Sequence, residues 1–152
     1  MLNEDLMLSK KATDETLQRA IATAAGVPAS AVCVVGEGAV GPEPNAPGIA
    51  VLVERIDAEG DFPLAIEYWP RVEATKEGRL DEIKKLCGIL DCRALADDGT
   101  EIPGRFLEVG ASGPLRIVNL DGDKEVAGVY DVQSEEPLPE PQGPTAKQKE
   151  NA

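Results

Sequence analysis

The chain has 152 residues, contains no histidine and carries a formal net charge of −13 at pH 7. This length predicts one domain, and the lack of histidine excludes every catalytic triad, dyad or metal site that needs an imidazole. The negative charge disfavours binding to nucleic acid or to an anionic membrane and favours a basic protein as partner.

The first part of the chain predicts one helix followed by three strands. Thr13 is a suitable N-cap, Asp14 and Glu15 favour the positive end of a helix dipole, and Gly26 ends the helix after Ala25. The N-terminal segment places acidic residues before its apolar ones, unlike a signal peptide, so we expect a cytoplasmic protein. Apolar and β-branched runs predict strands over 31–35, 48–56 and 63–69.

The second part of the chain repeats this order of elements. Thr75, with Glu77, opens a second helix. Because both parts read helix, strand, strand, strand, the segments 13–70 and 75–120 are candidates for a duplicated αβββ unit. The strands of the second part are predicted over 92–96, 105–109 and 114–120.

The whole pattern predicts an α+β fold in which two helices pack on a mainly antiparallel sheet. An Asp121-Gly122 turn predicts a hairpin into a last strand over 125–132. Residues 1–133 form this single domain, whereas the Pro/Glu-rich residues 134–152 lack the apolar surface needed to order, which predicts a disordered tail. The tail has a net charge of −2, which leaves −11 of the total −13 on the domain.

The segment GEGAVG places Gly36, Gly38 and Gly41 after a strand, with the spacing of a dinucleotide-binding loop. Such a loop holds phosphate only where the strand turns into a helix N-terminus. Here a proline-rich segment follows, which prevents a helix, and the next predicted element is a strand. The glycines therefore predict a loop between two strands, and we predict no cofactor.

The acidic and cysteine motifs predict no metal site. Asp121, Asp123 and Glu125 alternate like half of a calcium loop, but the later glycine and glutamate of an EF-hand are missing, so a turn is favoured. Cys87 and Cys92 form a C-x4-C pair without a second pair. All three cysteines, Cys33 included, lie in apolar segments, so we expect buried, inert thiols.

Trp69 ends a strand whose side chains alternate between two faces. If Leu64, Ile66 and Tyr68 face the core, Trp69 and Glu67 lie on an accessible face and suit a binding hot spot. If a helix covers that second face, Trp69 is a core residue instead. Together with the acidic turns, this strand predicts the following partner-contact residues: Glu67, Trp69, Asp97, Asp98, Glu101, Asp121, Asp123 and Glu125.

The strand over 48–56 is apolar on both faces, which predicts a central position in the sheet. The helices would cover one face, and the other would need a further layer or a second subunit. A homodimer is therefore one expectation.

The stretch EIKKLCGILDCRALADDGTEIPGRFLEV (82–109) runs from a helix into an L-x-C-R-A-L strand, an acidic turn and a Pro-initiated strand bearing Phe106. In this respect it resembles small bacterial immunity proteins that accompany polymorphic toxins, including those of contact-dependent growth inhibition. The resemblance implies a compact α+β protein, without catalysis, that binds and blocks a cognate toxin, often a basic nuclease.

The leading hypothesis is therefore a non-enzymatic acidic inhibitor of the immunity or antitoxin type, whose partner is a basic toxin domain. No spacing marks catalytic carboxylates. One alternative is a small-molecule sensor or enzyme with a cleft between the two halves, which a pKa-shifted Glu, Asp or Lys in a deep pocket would indicate. Another is an adaptor or assembly chaperone.

Overall fold

The structure, a computed structural model, describes residues 4–39, 41–43, 46–72 and 74–138. The α-helices among these residues are α1 (Asp14–Ala25), α2 (Lys76–Leu90) and the short α3 (Gly122–Val126), and a 3-10 helix spans Ala29–Ala31. The strands are β1 (Glu4–Leu8), β2 (Val32–Gly36), β3 (Val51–Asp57), β4 (Glu59–Gly60), β5 (Leu64–Pro70), β6 (Ala94–Asp97), β7 (Arg105–Val109), β8 (Arg116–Leu120), β9 (Val129–Tyr130) and β10 (Val132–Pro137).

Eight strands form one sheet in the order β10-β8-β7-β6-β1-β5-β3-β2. Neighbouring strands are antiparallel except for β2 and β3, which are parallel. The remaining strands, β4 and β9, pair with each other as a separate two-stranded ladder. The predicted α+β fold with a mainly antiparallel sheet is confirmed.

Both long helices begin where the sequence predicts because a threonine side chain caps each one. The Thr13 hydroxyl accepts a hydrogen bond from the Thr16 N–H at 3.2 Å, and the Thr75 hydroxyl accepts one from the Gly78 N–H at 3.0 Å. α1 ends at Gly26, whose φ of 72° is the left-handed conformation that glycine adopts without strain.

The main core lies between these two helices and one face of the sheet. Leu17 and Ile21 of α1 pack with Leu86 and Cys87 of α2 in a single buried cluster. The sheet contributes alternate side chains to this cluster, among them Leu6, Leu8, Val51, Val53, Leu64, Ile66, Tyr68, Ala94 and Val109. A second, smaller cluster on the opposite face covers the β6–β8 half of the sheet with Phe62, Leu95, Val118 and Leu120.

β1 lies in the middle of the sheet, although the sequence analysis assigned no strand there. It pairs with β5 over five residues and with β6 on its other side. Leu6 and Leu8 are buried against the helices, whereas Asp5 is exposed. Two apolar residues at a spacing of two are too weak a signal to identify a strand whose pairing is long-range.

The predicted hairpin at Asp121-Gly122 is wrong. The Asp121 carboxylate accepts hydrogen bonds from the backbone N–H groups of Asp123 and Lys124, and it thereby caps α3 instead of turning the chain into a strand. Aspartate favours both turns and helix N-caps, so the Asp-Gly pair does not distinguish the two.

The sequence predicts a disordered tail from Ser134, but residues Ser134–Pro137 belong to β10, which pairs with β8. Ion pairs support this pairing: Glu135 lies 3.3 Å from Arg116, and Glu136 lies 3.5 Å from Arg105. These pairs join residues distant in sequence, so composition alone could not reveal them. The remainder of the predicted tail, residues 139–152, lies outside the described residues.

The two proposed αβββ copies differ in topology. Their first two strands are parallel in one half (β2 and β3) and antiparallel in the other (β6 and β7). The parallel pair is joined by the GEGAVG loop, and the described residues between β2 and β3 contain no helix, in agreement with the predicted strand-to-strand loop. β3 lies between β5 and the edge strand β2, so it has a neighbour on both sides but is not at the centre of the sheet, where the sequence analysis expects it.

Candidate partner-binding surface

The two faces of β5 differ as the alternation of its side chains predicts. Leu64, Ile66 and Tyr68 are buried in the cluster with the helices. Glu67 and Trp69 are half-buried on the opposite face of the sheet. Trp69 therefore lies on the face away from α1 and α2, as the first of the two sequence-based alternatives expected.

Three acidic side chains lie in one row across this face. Asp5 of β1 is the cross-strand partner of Glu67, and Glu67 is also the partner of Glu54 in β3. Directly opposed residues on one face of an antiparallel pair have Cβ atoms about 4.5–5.5 Å apart. We call Asp5, Glu67 and Glu54 the acidic row.

Apolar residues border the acidic row on both sides. Leu52 and Trp69 are cross-strand partners on the side toward the end of β5. On the other side, Ala65 is opposite both Met7 and Ile56. Leu52 and Ala65 are buried, so the half-buried Trp69, Met7 and Ile56 are the apolar side chains beside the acidic row that a partner could contact.

Asp97 extends the negative surface toward the neighbouring turn. It is exposed at the end of β6, and its carboxylate accepts a hydrogen bond from the Gly99 N–H at 3.1 Å. Because β1 is antiparallel to both β5 and β6, the start of β1 lies beside the ends of those two strands. Asp97 and the acidic row therefore lie near the same end of the sheet.

Asp98 is enclosed and holds its own turn together. Its side chain is only 2% exposed, and one carboxylate oxygen accepts from Arg105 Nε at 2.9 Å. The other oxygen accepts from the backbone N–H and the hydroxyl of Thr100, at 3.0 and 2.7 Å. Burial acts to raise the pKa of Asp98, but the hydrogen bonds from Thr100 and Arg105 outweigh it and lower that pKa. A partner cannot reach this carboxylate, so we leave it out of the surface.

The other predicted acidic residues belong to two adjacent turns. Asp121 caps α3, whereas Glu101 and Asp123 are exposed and Glu125 is half-buried. The two turns are in contact because the Leu120 N–H donates to the Gly104 carbonyl at 2.8 Å. Glu101, Asp123 and Glu125 thus add negative charge at the end of the sheet where Asp97 lies.

The structure contains a buried polar cluster beneath the helices that the sequence analysis does not predict. Arg79 of α2 is 8% exposed and forms ion pairs with Glu82 and, at 3.6 Å, with Glu4 of β1. The Tyr68 hydroxyl donates to Glu82 at 2.8 Å, and the Arg79 guanidinium lies 5.2 Å from the centre of the Tyr68 ring. Its members lie on β1, β5 and α2, so no local sequence pattern could identify it.

This cluster includes an acid with a shifted pKa, which is a feature expected of a small-molecule site. Burial raises the pKa of Glu4, Arg79 opposes this change, and Glu82 and Asp97 add to it. The adjoining cavity has a volume of about 10 Å³, however, which is space for about one water molecule. The cavity is too small for an organic ligand.

A shallow open groove of about 420 Å³ runs beside the start of α1, lined by Lys11, Ala12, Thr13, Asp14 and Arg55. Arg55 forms ion pairs with Asp14 at 2.6 Å and Asp57 at 3.0 Å. The charge of the Arg55 guanidinium is therefore balanced within the chain. For this reason the groove is a weaker candidate for a binding site than the acidic row.

The chain matches no known family model, no protein of curated function and no solved structure. Across the described ranges, no group of three or more Cys, Asp or Glu side chains is placed to hold a metal ion. No helix in the part of the chain that the structure describes is both long and apolar enough to cross a membrane.

Proposed function

We propose that this protein binds a cationic protein partner through the acidic row and Trp69. The observation that carries this proposal is the alignment of Asp5, Glu67 and Glu54 between two apolar rows, on the sheet face opposite the helices. Basic side chains of the partner would lie along the row, and apolar groups beside them would contact Trp69 and Met7.

The acidic row is unfavourable for folding, which supports a role in binding. Like charges directly opposite each other destabilise a sheet, and neither Asp5 nor Glu54 forms an ion pair with another described residue. Local features that oppose folding are expected at functional sites. A partner that supplies Lys or Arg would relieve the repulsion.

Charge favours a basic partner over a second copy of this chain. In a two-fold dimer through this face, each acidic row would approach the same patch of an equally charged copy. The net charge of −13 adds repulsion at longer range, whereas it would accelerate association with a basic protein. We therefore propose a hetero-complex instead of a homodimer.

An immunity or antitoxin role is the specific form of this proposal that we favour. The resemblance over 82–109 suggests it, and the partner would then be a basic toxin domain that the protein blocks without catalysis. A cytoplasmic location belongs to the same proposal, because such an inhibitor would protect the cell that makes it.

The proposal is tested by affinity capture from the producing cell with three baits: the wild type, the Asp5→Asn/Glu54→Gln variant and an Asp81→Asn/Glu77→Gln control. The control removes the same charge from the exposed surface of α2, which packs on the other face of the sheet. We expect the wild-type and control baits to retain one basic protein that the acidic-row variant loses. Equal retention by all three baits would exclude the acidic row as the binding site.

A further inference from the structure

The end of α2 brings two cysteines together. Asp91 follows the helix in the left-handed conformation, with a φ of 53°, and the Cys92 N–H then donates to the Cys87 carbonyl at 3.0 Å. This backbone hydrogen bond spans five residues, as the longer bond of a Schellman motif does, and such a helix end commonly places the side chains of its first and last residues in contact. Here both of those side chains are thiols.

The two thiols have different surroundings. Cys87 is fully buried, and its Sγ donates to the Val109 carbonyl at 3.5 Å. Cys92 is half-buried, and its sulfur is the alternative acceptor for the single S–H of Cys87. Hydrogen bonds between Ser9 and Arg93, at 2.9 and 2.7 Å, hold the end of β1 and the neighbouring Lys10 beside Cys92.

These surroundings favour the thiolate at Cys92 only. The hydrogen bond from Cys87, together with the charge of Lys10, lowers the pKa of Cys92 against the effect of burial. The hydrogen bond to Cys92 and burial raise the pKa of Cys87. A half-buried thiol with a lowered pKa beside a buried second thiol resembles the arrangement of a peroxide-reactive cysteine and its resolving partner. Of the three cysteines that the sequence analysis expects to be buried, Cys87 is buried, whereas Cys33 and Cys92 are half-buried.

We propose that Cys92 is a peroxide-reactive thiol and that Cys87 converts its oxidised form into an intrachain disulfide. The Cys92 thiolate attacks one oxygen of hydrogen peroxide, which gives the sulfenic acid and releases hydroxide. The Cys87 sulfur then attacks the Cys92 sulfur and forms the S–S bond. The sulfenic hydroxyl leaves with the Cys87 proton as water, so peroxide is the only oxidant required.

Cys33 provides an internal comparison. It is also half-buried, but it lies on β2, and β3, β5 and β1 separate that strand from β6, which follows Cys92. Four strand spacings of about 4.8 Å amount to roughly 19 Å, too far for a disulfide with either of the other cysteines. Cys33 should therefore react as an ordinary thiol and remain reduced at low peroxide.

The experiment treats the reduced full-length protein with one equivalent of hydrogen peroxide, followed by alkylation, trypsin digestion and mass spectrometry. Cleavage after Lys85 and Arg93 releases a peptide with both cysteines, in which we expect the loss of two hydrogens and protection from alkylation. A Cys87→Ala variant should accumulate a sulfenic acid at Cys92 that dimedone traps, and a Cys92→Ser variant should lose the fast reaction.

Oxidation of Cys33 at the same rate as Cys92, or conversion of wild-type Cys92 to sulfinic acid without a disulfide, would overturn the proposal. Both of these outcomes are measured on the wild-type protein, so the test remains valid even if a variant folds poorly. This thiol pair lies at the start of β6, at the opposite end of the sheet from the acidic row, so its result is independent of the proposed binding function.

Discussion

Asp5 of β1 and Glu67 of β5 are cross-strand partners on the sheet face that the helices leave uncovered. Each is an acid, and Glu54 continues the row on the next strand. This relationship between neighbouring carboxylates is the basis of the proposed function, and it predicts opposite effects of one substitution on folding and on binding.

Neutralising the ends of the acidic row should stabilise the fold. Asp5→Asn and Glu54→Gln each remove one like-charge pair with Glu67, for an expected gain of about 0.2–1 kcal/mol in the free energy of unfolding. Urea denaturation at low salt measures this gain, which should shrink as salt screens the repulsion. A loss of stability in both variants would show that the row contributes to folding and would remove the argument for a binding role.

Trp69 should report binding directly, because it is the only tryptophan in the chain. A partner that covers its half-buried ring should shift its fluorescence emission to shorter wavelength. Trp69→Ala should weaken binding by at least about 2 kcal/mol, as expected for an aromatic hot spot. Unchanged emission on saturation with the captured partner would place the interface elsewhere.

Asp98→Asn should destabilise the protein by about 1–3 kcal/mol, because it removes the charge from a buried carboxylate that accepts from Arg105. The nearby Glu101→Gln is the control and should change stability by less than about 0.5 kcal/mol, since Glu101 is exposed. The folded-state pKa of Asp98 is lowered from 3.8, so its stabilising contribution is present above that pH and is lost as pH falls through the lowered pKa. We therefore expect the difference in the free energy of unfolding between wild type and Asp98→Asn to be smaller at acidic pH than at neutral pH. Urea denaturation at both pH values measures this difference.

Glu4 should have the opposite pH dependence. Its pKa is raised from 4.5 by burial, so the folded protein binds this proton more tightly than the unfolded chain does. The stabilising contribution is complete below the unfolded pKa and is lost as pH rises through the raised folded pKa. Relative to Glu4→Gln, the wild type should lose stability in denaturant titrations as the pH rises above 4.5 and through the raised pKa of Glu4. If the stability of the wild type relative to Glu4→Gln stays constant or increases as the pH rises, the environment described for Glu4 is contradicted.

The helices were predictable because their signals are local. Thr13 and Thr75 cap their helices through hydrogen bonds to residues three positions away, which a sequence pattern contains in full. Alternation along β5 likewise predicts that Trp69 and Tyr68 lie on opposite faces, but which of the two faces the helices cover stays open in the sequence, because it depends on tertiary packing.

The acidic row could not be predicted because it depends on register between strands. β1 was not recognised, so Asp5 had no assigned neighbour, and the pairing of Glu67 with Glu54 follows from the alignment of β3 with β5. The contact of Asp98 with Arg105 of β7 is likewise a property of the folded chain. Asp121 caps α3 through residues two and three positions away, but aspartate favours turns as well as helix N-caps, so the local pattern does not distinguish the two.

The most direct test of the proposed function is the salt dependence of association with the captured basic partner. Stopped-flow fluorescence of Trp69 should give an association rate constant that falls by about 10-fold or more as the ionic strength rises from about 0.02 to 0.5 M. The Asp5→Asn/Glu54→Gln variant should show a weaker dependence than the wild type and the Asp81→Asn/Glu77→Gln control. A rate constant that does not change with salt in any of the three proteins would contradict recognition by the acidic row.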